Sequence, residues 1–184
     1  EPSGMKVVSG QKGIVSHFVT VTGREAHSSQ THLGYSAIEG ANRLMSEIYA
    51  MAAQAQAEAD PKSGYIPPWT TMTVGLVEGG TALNILARQC EFVWDLRWPH
   101  TEESAPYIAR FQAAVDRLDA ELKARYPDGG AEMRLRGASP AFAVTPDSPA
   151  EQLARSLTGD NGLEVVSYAT EAGLFQAAGL ATVI

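Results

Sequence analysis

A stretch of alternating side chains constrains the fold of this chain more than any other feature of its sequence. Over residues 89–98, apolar positions alternate with positions that include Glu91, Asp95 and Arg97. The apolar set on the other side consists of Cys90, Phe92, Trp94 and Leu96. Because successive side chains of a strand point to opposite faces, this pattern predicts a β-strand with one buried face. The chain therefore needs a sheet whose apolar face is covered by other elements.

Two amphipathic helices are predicted to supply that cover. Each shows apolar residues at alternating steps of three and four, the spacing of one helical stripe. The first helix begins near Gly34 and ends before Pro61, and its stripe is Ile38, Ala41, Met45, Ile48, Ala52 and Ala55. The second runs from about residue 102 to 126, and its stripe is Ile108, Phe111, Val115, Leu118 and Leu122.

The order of elements predicts the fold class. Further strands are expected at residues 14–22, 71–77 and 132–136, so residues 12–137 read strand, helix, strand, strand, helix, strand. This is the ferredoxin-like βαββαβ arrangement of the α+β class. We expect a four-stranded antiparallel sheet with both helices on one face.

The pattern changes after Gly137. A proline-containing linker at 139–149 leads to a helix at 151–157, a strand at 163–167 and a further strand, loop and helix through residues 169–178. This alternation is typical of a parallel α/β domain. We therefore predict a flank of that domain at 1–11, the ferredoxin-like domain at 12–137 and a partial, truncated α/β segment at 138–184.

Composition excludes several classes of partner. The net charge is −7 and the 14 Lys and Arg residues are scattered, which argues against nucleic-acid binding. No apolar run reaches the length of a membrane span, and the first residues lack the pattern of a signal peptide. The single cysteine, Cys90, reads as a small core residue, which fits a cytoplasmic protein.

His27 is the first candidate for chemistry. It lies among small and polar residues in the segment 23–29, between a β-branched strand and the first helix. An imidazole in such a loop can donate a hydrogen bond or carry charge near neutral pH. The alternative is an ordinary surface histidine in a turn.

Five short motifs together resemble the M20 metallopeptidases, and most closely their acetylornithine deacetylase branch. In chain order they are Glu1-Pro2-Ser3, residues 23–29 (GREAHSS), residues 79–85 (GGTALNI), Asp95-Leu96-Arg97 and residues 170–173 (TEAG). The resemblance implies a catalytic α/β domain that holds two zinc ions, for which cobalt can substitute, with an inserted ferredoxin-like dimerisation domain. It also implies a cytoplasmic homodimer.

The resemblance implies a metal ligand at Glu1, a carboxylate donor to one zinc ion. The alternative is an acidic residue in a frayed terminus. The family's His-x-Asp ligands, its paired glutamates with the general base, and its late histidine ligand do not match any residues of this sequence. We therefore expect this chain alone to retain no zinc and to be inactive.

The resemblance also implies roles for four other residues. His27 would reach into the partner's site and stabilise the oxyanion, and Asn84 would contact substrate, its alternative being a turn-forming asparagine. Arg97 would clamp the substrate carboxylate, or else pair with Asp95. Glu171 would accept a substrate ammonium, or else stabilise a helix start as an acidic residue.

The function implied by these matches is hydrolysis of the amide of a small N-acyl amino acid. The leading candidate is deacetylation of N2-acetylornithine, a reaction of arginine biosynthesis. One alternative is another M20 deacylase, such as a succinyl-diaminopimelate desuccinylase or a carboxypeptidase. The other is a non-catalytic ferredoxin-like dimerisation or binding module.

Overall fold

The computed structural model describes residues 3–184. In chain order the elements are β1 (Val8–Gln11), β2 (Gly13–Thr22), a 3-10 helix (Thr31–Leu33), α1 (Ala37–Ala57), β3 (Thr71–Gly79), β4 (Gln89–Trp98), α2 (Ala105–Arg125), β5 (Gly130–Ser139), α3 (Pro149–Thr158), β6 (Glu164–Val166) and α4 (Ala172–Ala177).

The main sheet confirms the predicted fold class. It has four antiparallel strands in the order β3-β4-β2-β5. The central strand β2 pairs with β4 along its full length, from Gly13 opposite Trp98 to Thr22 opposite Gln89. Helices α1 and α2 pack on one face of this sheet, as a ferredoxin-like arrangement requires.

The core lies between that face and the two helices. The alternating set of β4 is buried as predicted, and Trp94 packs edge-on against Phe111 of α2 with ring centroids 4.7 Å apart. Residues Val15, Val19 and Val21 of β2 complete the strand side of the core. These contacts fix α2 over the centre of the sheet.

One part of the predicted stripe of α1 is wrong. Ile38 is 45% exposed, whereas Leu44 and Met51 are buried. A helix has 3.6 residues per turn, so steps of three and four drift around its axis over five turns. The first residue of the stripe therefore lies outside the face that meets the core, at the margin of α1.

The remaining elements form a second, smaller sheet. Strand β1 pairs in parallel with β6, and Val8 exchanges two backbone hydrogen bonds with Ile184 (2.8 and 3.1 Å). Helix α3 and strand β6 lie where they were predicted. No strand forms between residues 169 and 178, because the turn at Thr170 leads directly into α4. The predicted domain boundaries stay a prediction.

The two connections between the sheets run side by side. Gln11 N donates to Phe142 O at 2.9 Å, and Phe142 N donates to Gln11 O at 3.2 Å. At Gly13, a Cβ atom would lie 2.3 Å from the Trp98 ring, so only glycine fits. This paired crossing is called the hinge below. Among residues 3–184, no helix is both long and apolar enough to cross a membrane.

His17 makes the stability of the main sheet depend on pH. Its side chain faces the core from β2, is 6% exposed and stacks on Trp94. Burial lowers the pKa of His17 from its ordinary value of 6.5. The unfolded chain therefore binds this proton more readily than the folded chain. Neutral His17 therefore contributes fully to the unfolding free energy at pH values above the ordinary histidine pKa. This contribution is lost as the pH falls below that pKa.

The unfolding free energy of the wild type should fall between about pH 8 and about pH 5. We predict a smaller fall in His17→Leu, with a difference of at most about 1.4 kcal/mol for each pH unit. Denaturant titration at both pH values measures the effect. His32→Leu, at an exposed position on the 3-10 helix, is the matched control. Equal pH dependence in wild type and His17→Leu would contradict the assignment.

Candidate functional site

His27 and Asn84 lie together at one end of the main sheet. The residues after β2 continue to pair with the residues before β4. Leu86 N donates to Ala26 O and Ser28 N donates to Asn84 O, both at 2.9 Å. His27 forms a β-bridge with Ile85 between these bonds. The two predicted site residues are therefore neighbours, and both are exposed.

The ring of His27 is held by a residue that sequence reasoning did not single out. Ser29 N donates to His27 Nδ1 at 3.2 Å, and Ser29 Oγ lies 2.8 Å from the same nitrogen. The signal available in the sequence was the serine two residues after the histidine, a spacing at which side chains often bond to a turn.

A depression of about 420 Å³ adjoins this end of the sheet. Its charged lining consists of Glu25, Glu78, Glu91 and Arg88. Three carboxylates against one guanidinium disfavour an anionic ligand. The carboxylate of an N-acyl amino acid is therefore a poor fit to this depression.

Arg97 lies at the other end of the sheet, near the hinge. Its Nε donates to Asp95 Oδ2 at 2.9 Å, and Thr73 Oγ1 donates to Asp95 Oδ1 at 2.6 Å. The predicted alternative, a pair with Asp95, is thus present. It occupies only Nε, and within residues 3–184 the two terminal nitrogens of Arg97 have no hydrogen-bond partner. The fork remains available for a ligand.

Arg97 and Glu171 line the same cavity, of about 250 Å³. Ile14, Ser139, Tyr168 and Leu174 complete most of its wall. A guanidinium and a carboxylate on one small cavity can hold the two charged groups of a dipolar ligand. Glu171 also precedes the first residue of α4, so its charge favours the start of that helix as well.

The turn that carries Glu171 is fixed by Gln11, a fully buried residue of the hinge. Gln11 Oε1 accepts from Thr170 N (2.8 Å) and Thr170 Oγ1 (2.7 Å), while its Nε2 donates to Thr170 O (3.0 Å). Ser139 Oγ donates to the same carbonyl at 3.1 Å. All polar atoms of the buried amide are satisfied, so the turn has one position relative to the hinge.

Lys12 anchors the hinge on its other side. This lysine is 1% exposed, and its Nζ donates to Pro67 O (2.8 Å) and Trp69 O (2.6 Å). Burial lowers the pKa of Lys12 to about 8. The contacts tie the loop before β3 to the hinge, so the strand end that carries Arg97 has rigid neighbours.

The two pairs of site residues are far apart within one chain. Arg97 lies opposite Ile14, and Gln89 lies opposite Thr22, eight residue steps along β4. At about 3.3 Å per residue this is about 26 Å, and His27 lies beyond that point. A small ligand bound at Arg97 cannot touch His27 of the same chain.

The described residues do not form a metal centre. Within residues 3–184, no group of three or more His, Cys, Asp or Glu side chains could hold a metal ion. The predicted ligand Glu1 lies outside the described residues. Residues 3–184 therefore do not by themselves fit a dinuclear zinc site.

Comparison with protein-family models establishes the family of this chain. Residues 9–123 match the peptidase dimerisation domain of the M20 family, more than half of the chain. The chain belongs to the M20 peptidase family. Its curated relatives include an acetylornithine deacetylase of Myxococcus xanthus, 30% identical over 172 residues, and one of Aliivibrio fischeri, 28% identical over 183 residues.

This M20 chain spans about half the length of these relatives. The matches cover 94% and 96% of the chain but 44% and 45% of the two deacetylases, respectively. Solved structures share the fold. An aminopeptidase from Bacillus cereus has a TM-score of 0.73 and a tripeptidase from Staphylococcus aureus has 0.70, each at 19% identity. They cover 97% and 98% of this chain and 44% of each neighbour.

Proposed function

We propose that the full-length protein is an amidohydrolase that removes the acetyl group from N2-acetylornithine. The observation that carries this proposal is the cavity lined by both Arg97 and Glu171. The terminal nitrogens of Arg97, which have no hydrogen-bond partner among residues 3–184, would bind the substrate carboxylate, and Glu171 would accept a hydrogen bond from the side-chain ammonium. The curated relatives named as acetylornithine deacetylases support the same substrate.

The oxyanion donor in this proposal is His27 of a second copy. An extended N-acyl amino acid is roughly 10 Å long, about three residue lengths, whereas His27 lies more than about 26 Å from Arg97 in one chain. A partner protomer would bring its own His27 and Asn84 to the Arg97 cavity. There the imidazole would donate to the oxygen of the tetrahedral intermediate, where charge develops.

In the proposed full-length enzyme, bound zinc would supply Lewis-acid chemistry that activates water and polarises the amide carbonyl. Its ligands and the general base would come from residues outside 3–184, with Glu1 as one candidate ligand. Cobalt is a possible substitute. The part of the chain described above would contribute substrate binding and the oxyanion donor.

Activity assays of the full-length protein on three substrates distinguish the other M20 deacylases from this proposal. The substrates are N2-acetylornithine, an N-succinyl amino acid and a peptide with a free carboxylate. A desuccinylase would prefer an N-succinyl group, and a carboxypeptidase would cleave a peptide with a free carboxylate. Activity of the full-length protein on either, without activity on N2-acetylornithine, would overturn the substrate assignment. A non-catalytic dimerisation module would hydrolyse none of the three.

Glu171 provides the sharpest test of substrate choice. We predict that Glu171→Gln in the full-length protein lowers kcat/KM for N2-acetylornithine by about 10- to 100-fold, because a charge-assisted hydrogen bond to the ammonium is lost. Activity on N-acetylnorvaline, which lacks the ammonium, should change little. Equal losses on both substrates would contradict the ammonium-binding role.

The proposed dimer forms through α1 and the edge strand β3. Leu76 and Val77 on β3 and Tyr49 on α1 are exposed, at 67%, 56% and 53%. Both edge strands contain a register irregularity, but the other edge strand, β5, also carries Glu132, Arg134 and Arg136, charged residues that protect an edge from pairing. Strand β3 is therefore the edge suited to a second copy.

We predict that Val77→Asp weakens dimerisation at least about 10-fold, because it places a charge on the apolar edge. Leu135→Asp, on exposed β5, should leave the dimer unchanged and serves as the control. Sedimentation velocity over a concentration series measures both. A wild type that stays monomeric at high concentration would contradict the proposed interface.

The assignment of His27 to the partner's site predicts complementation. In the full-length protein, His27→Ala should lower kcat by about 10²–10³, the cost of losing one oxyanion donor. Arg97→Ala should be impaired through substrate binding. Heterodimers of the two variants should regain activity, since one of their two sites then has an intact His27 and an intact Arg97. No recovery, with subunit exchange verified, would show that both residues act in the same chain's site.

A further inference from the structure

The loop that carries His27 is a tightly closed turn. Gln30 N donates to His27 O at 2.8 Å, which makes residues 27–30 a hydrogen-bonded β-turn. Arg24 and Tyr35 exchange two backbone hydrogen bonds, of 2.9 and 3.0 Å, at the base of the loop. At Gly34, a Cβ atom would lie 2.4 Å from Arg24 O, so the two arms of the loop approach as closely as backbones can. Ser29 is thereby held within the turn.

This turn determines which nitrogen of His27 carries hydrogen. Ser29 N is a backbone amide and can only donate, and it donates to His27 Nδ1 at 3.2 Å. Nδ1 must therefore be unprotonated in this arrangement. The neutral imidazole then carries its hydrogen on Nε2. Ser29 Oγ, 2.8 Å from Nδ1, can donate to the same lone pair and reinforces this choice.

The tautomer matters because the two forms have opposite effects on an oxyanion. With hydrogen on Nε2, the exposed side of the ring presents a donor. With hydrogen on Nδ1, it presents a lone pair, which repels a negatively charged oxygen. Within residues 3–184, His27 Nε2 has no hydrogen-bond partner, so it is the atom free to meet a ligand.

We propose that Ser29 is a positioning residue that keeps Nε2 of His27 in the donor form required at the partner's oxyanion. This inference rests on the proposed function, because the oxyanion belongs to the amide hydrolysis proposed above. Ser29 itself touches neither substrate nor reacting atoms. It acts through the ring of His27, by its hydroxyl and by the backbone amide that the turn presents.

The first arm of the test measures the tautomer directly. The full-length protein is labelled with ¹⁵N-histidine, and two-bond ¹⁵N–¹H correlations are recorded about two pH units above the ordinary histidine pKa of about 6.5. The His27 signals are assigned by their loss in His27→Ala. We expect hydrogen on Nε2 in wild type, and a two- to tenfold fall in the ratio of the Nε2–H to the Nδ1–H form in Ser29→Ala.

Two further variants make this arm specific. Ser28→Ala removes the neighbouring hydroxyl, which has no hydrogen-bond partner among residues 3–184, and should leave the ratio unchanged. Ser29→Thr keeps a hydroxyl at the same position and should restore it. A wild type with hydrogen on Nδ1, or an equal ratio in wild type and Ser29→Ala, would overturn the proposal.

The second arm is a double-mutant cycle on N2-acetylornithine hydrolysis. Ser29→Ala should lower kcat two- to tenfold with a smaller change in KM, and should have no further effect in the His27→Ala background. Equal effects in both backgrounds would show a merely structural serine and overturn the positioning role. An unchanged kcat in His27→Ala would instead overturn the proposed role of His27, while the tautomer ratio still reports whether Ser29 holds the ring.

Discussion

The full-length pairing of β2 with β4 is the constraint on which the rest of the molecule depends. Ten consecutive residue pairs, from Gly13 opposite Trp98 to Thr22 opposite Gln89, leave no slack between the two ends of the sheet. A slip of one residue would turn Phe92, Trp94 and Leu96 out of the core, so the buried face enforces the register. The same register sets the distance between Arg97 and His27.

The hinge transmits this order to the second sheet. Two chain crossings meet at Gln11 and Phe142, and the buried amide of Gln11 then binds the backbone of Thr170 on both sides. Gly173, in the first turn of α4, lies so close to the linker that a Cβ atom at this position would be 2.1 Å from Pro140 O. Glu171 therefore has its place relative to Arg97 through backbone contacts rather than through a bond between the two side chains.

The sequence predicts those features that repeat along the chain. The alternation of β4 and the apolar stripes of both helices are local patterns, so the sequence alone predicts the order of elements and the fold class. The buried face of α1 was less predictable. A stripe that begins at Ile38 drifts around the helix axis, so tertiary packing decides which residues of each turn face the sheet.

The site was predictable only where a motif marked it. His27 is a candidate from its position in a loop, and Asn84, Arg97 and Glu171 are candidates from the family resemblance. The structure brings the first two of these residues together and the last two together. Gln11 and Lys12 do not belong to any of these motifs. Their partners, Thr170 and the carbonyls of the loop before β3, lie more than fifty residues away, so no local pattern reveals the contacts.

The division of these residues between two ends of one rigid sheet has a consequence for the proposed enzyme. In the proposal, a protomer alone would bind a dipolar ligand at Arg97 and Glu171, but its own His27 would lie too far away to reach the scissile carbonyl. Binding would therefore survive dissociation of the dimer, whereas the stabilisation of charge in the transition state would not. The pairing of β2 with β4 over ten residues keeps Arg97 and His27 of one chain at opposite ends of the sheet. In the proposed enzyme, catalysis would therefore require assembly, and the edge strand β3 would contribute to it by placing His27 of one copy at the Arg97 cavity of the other.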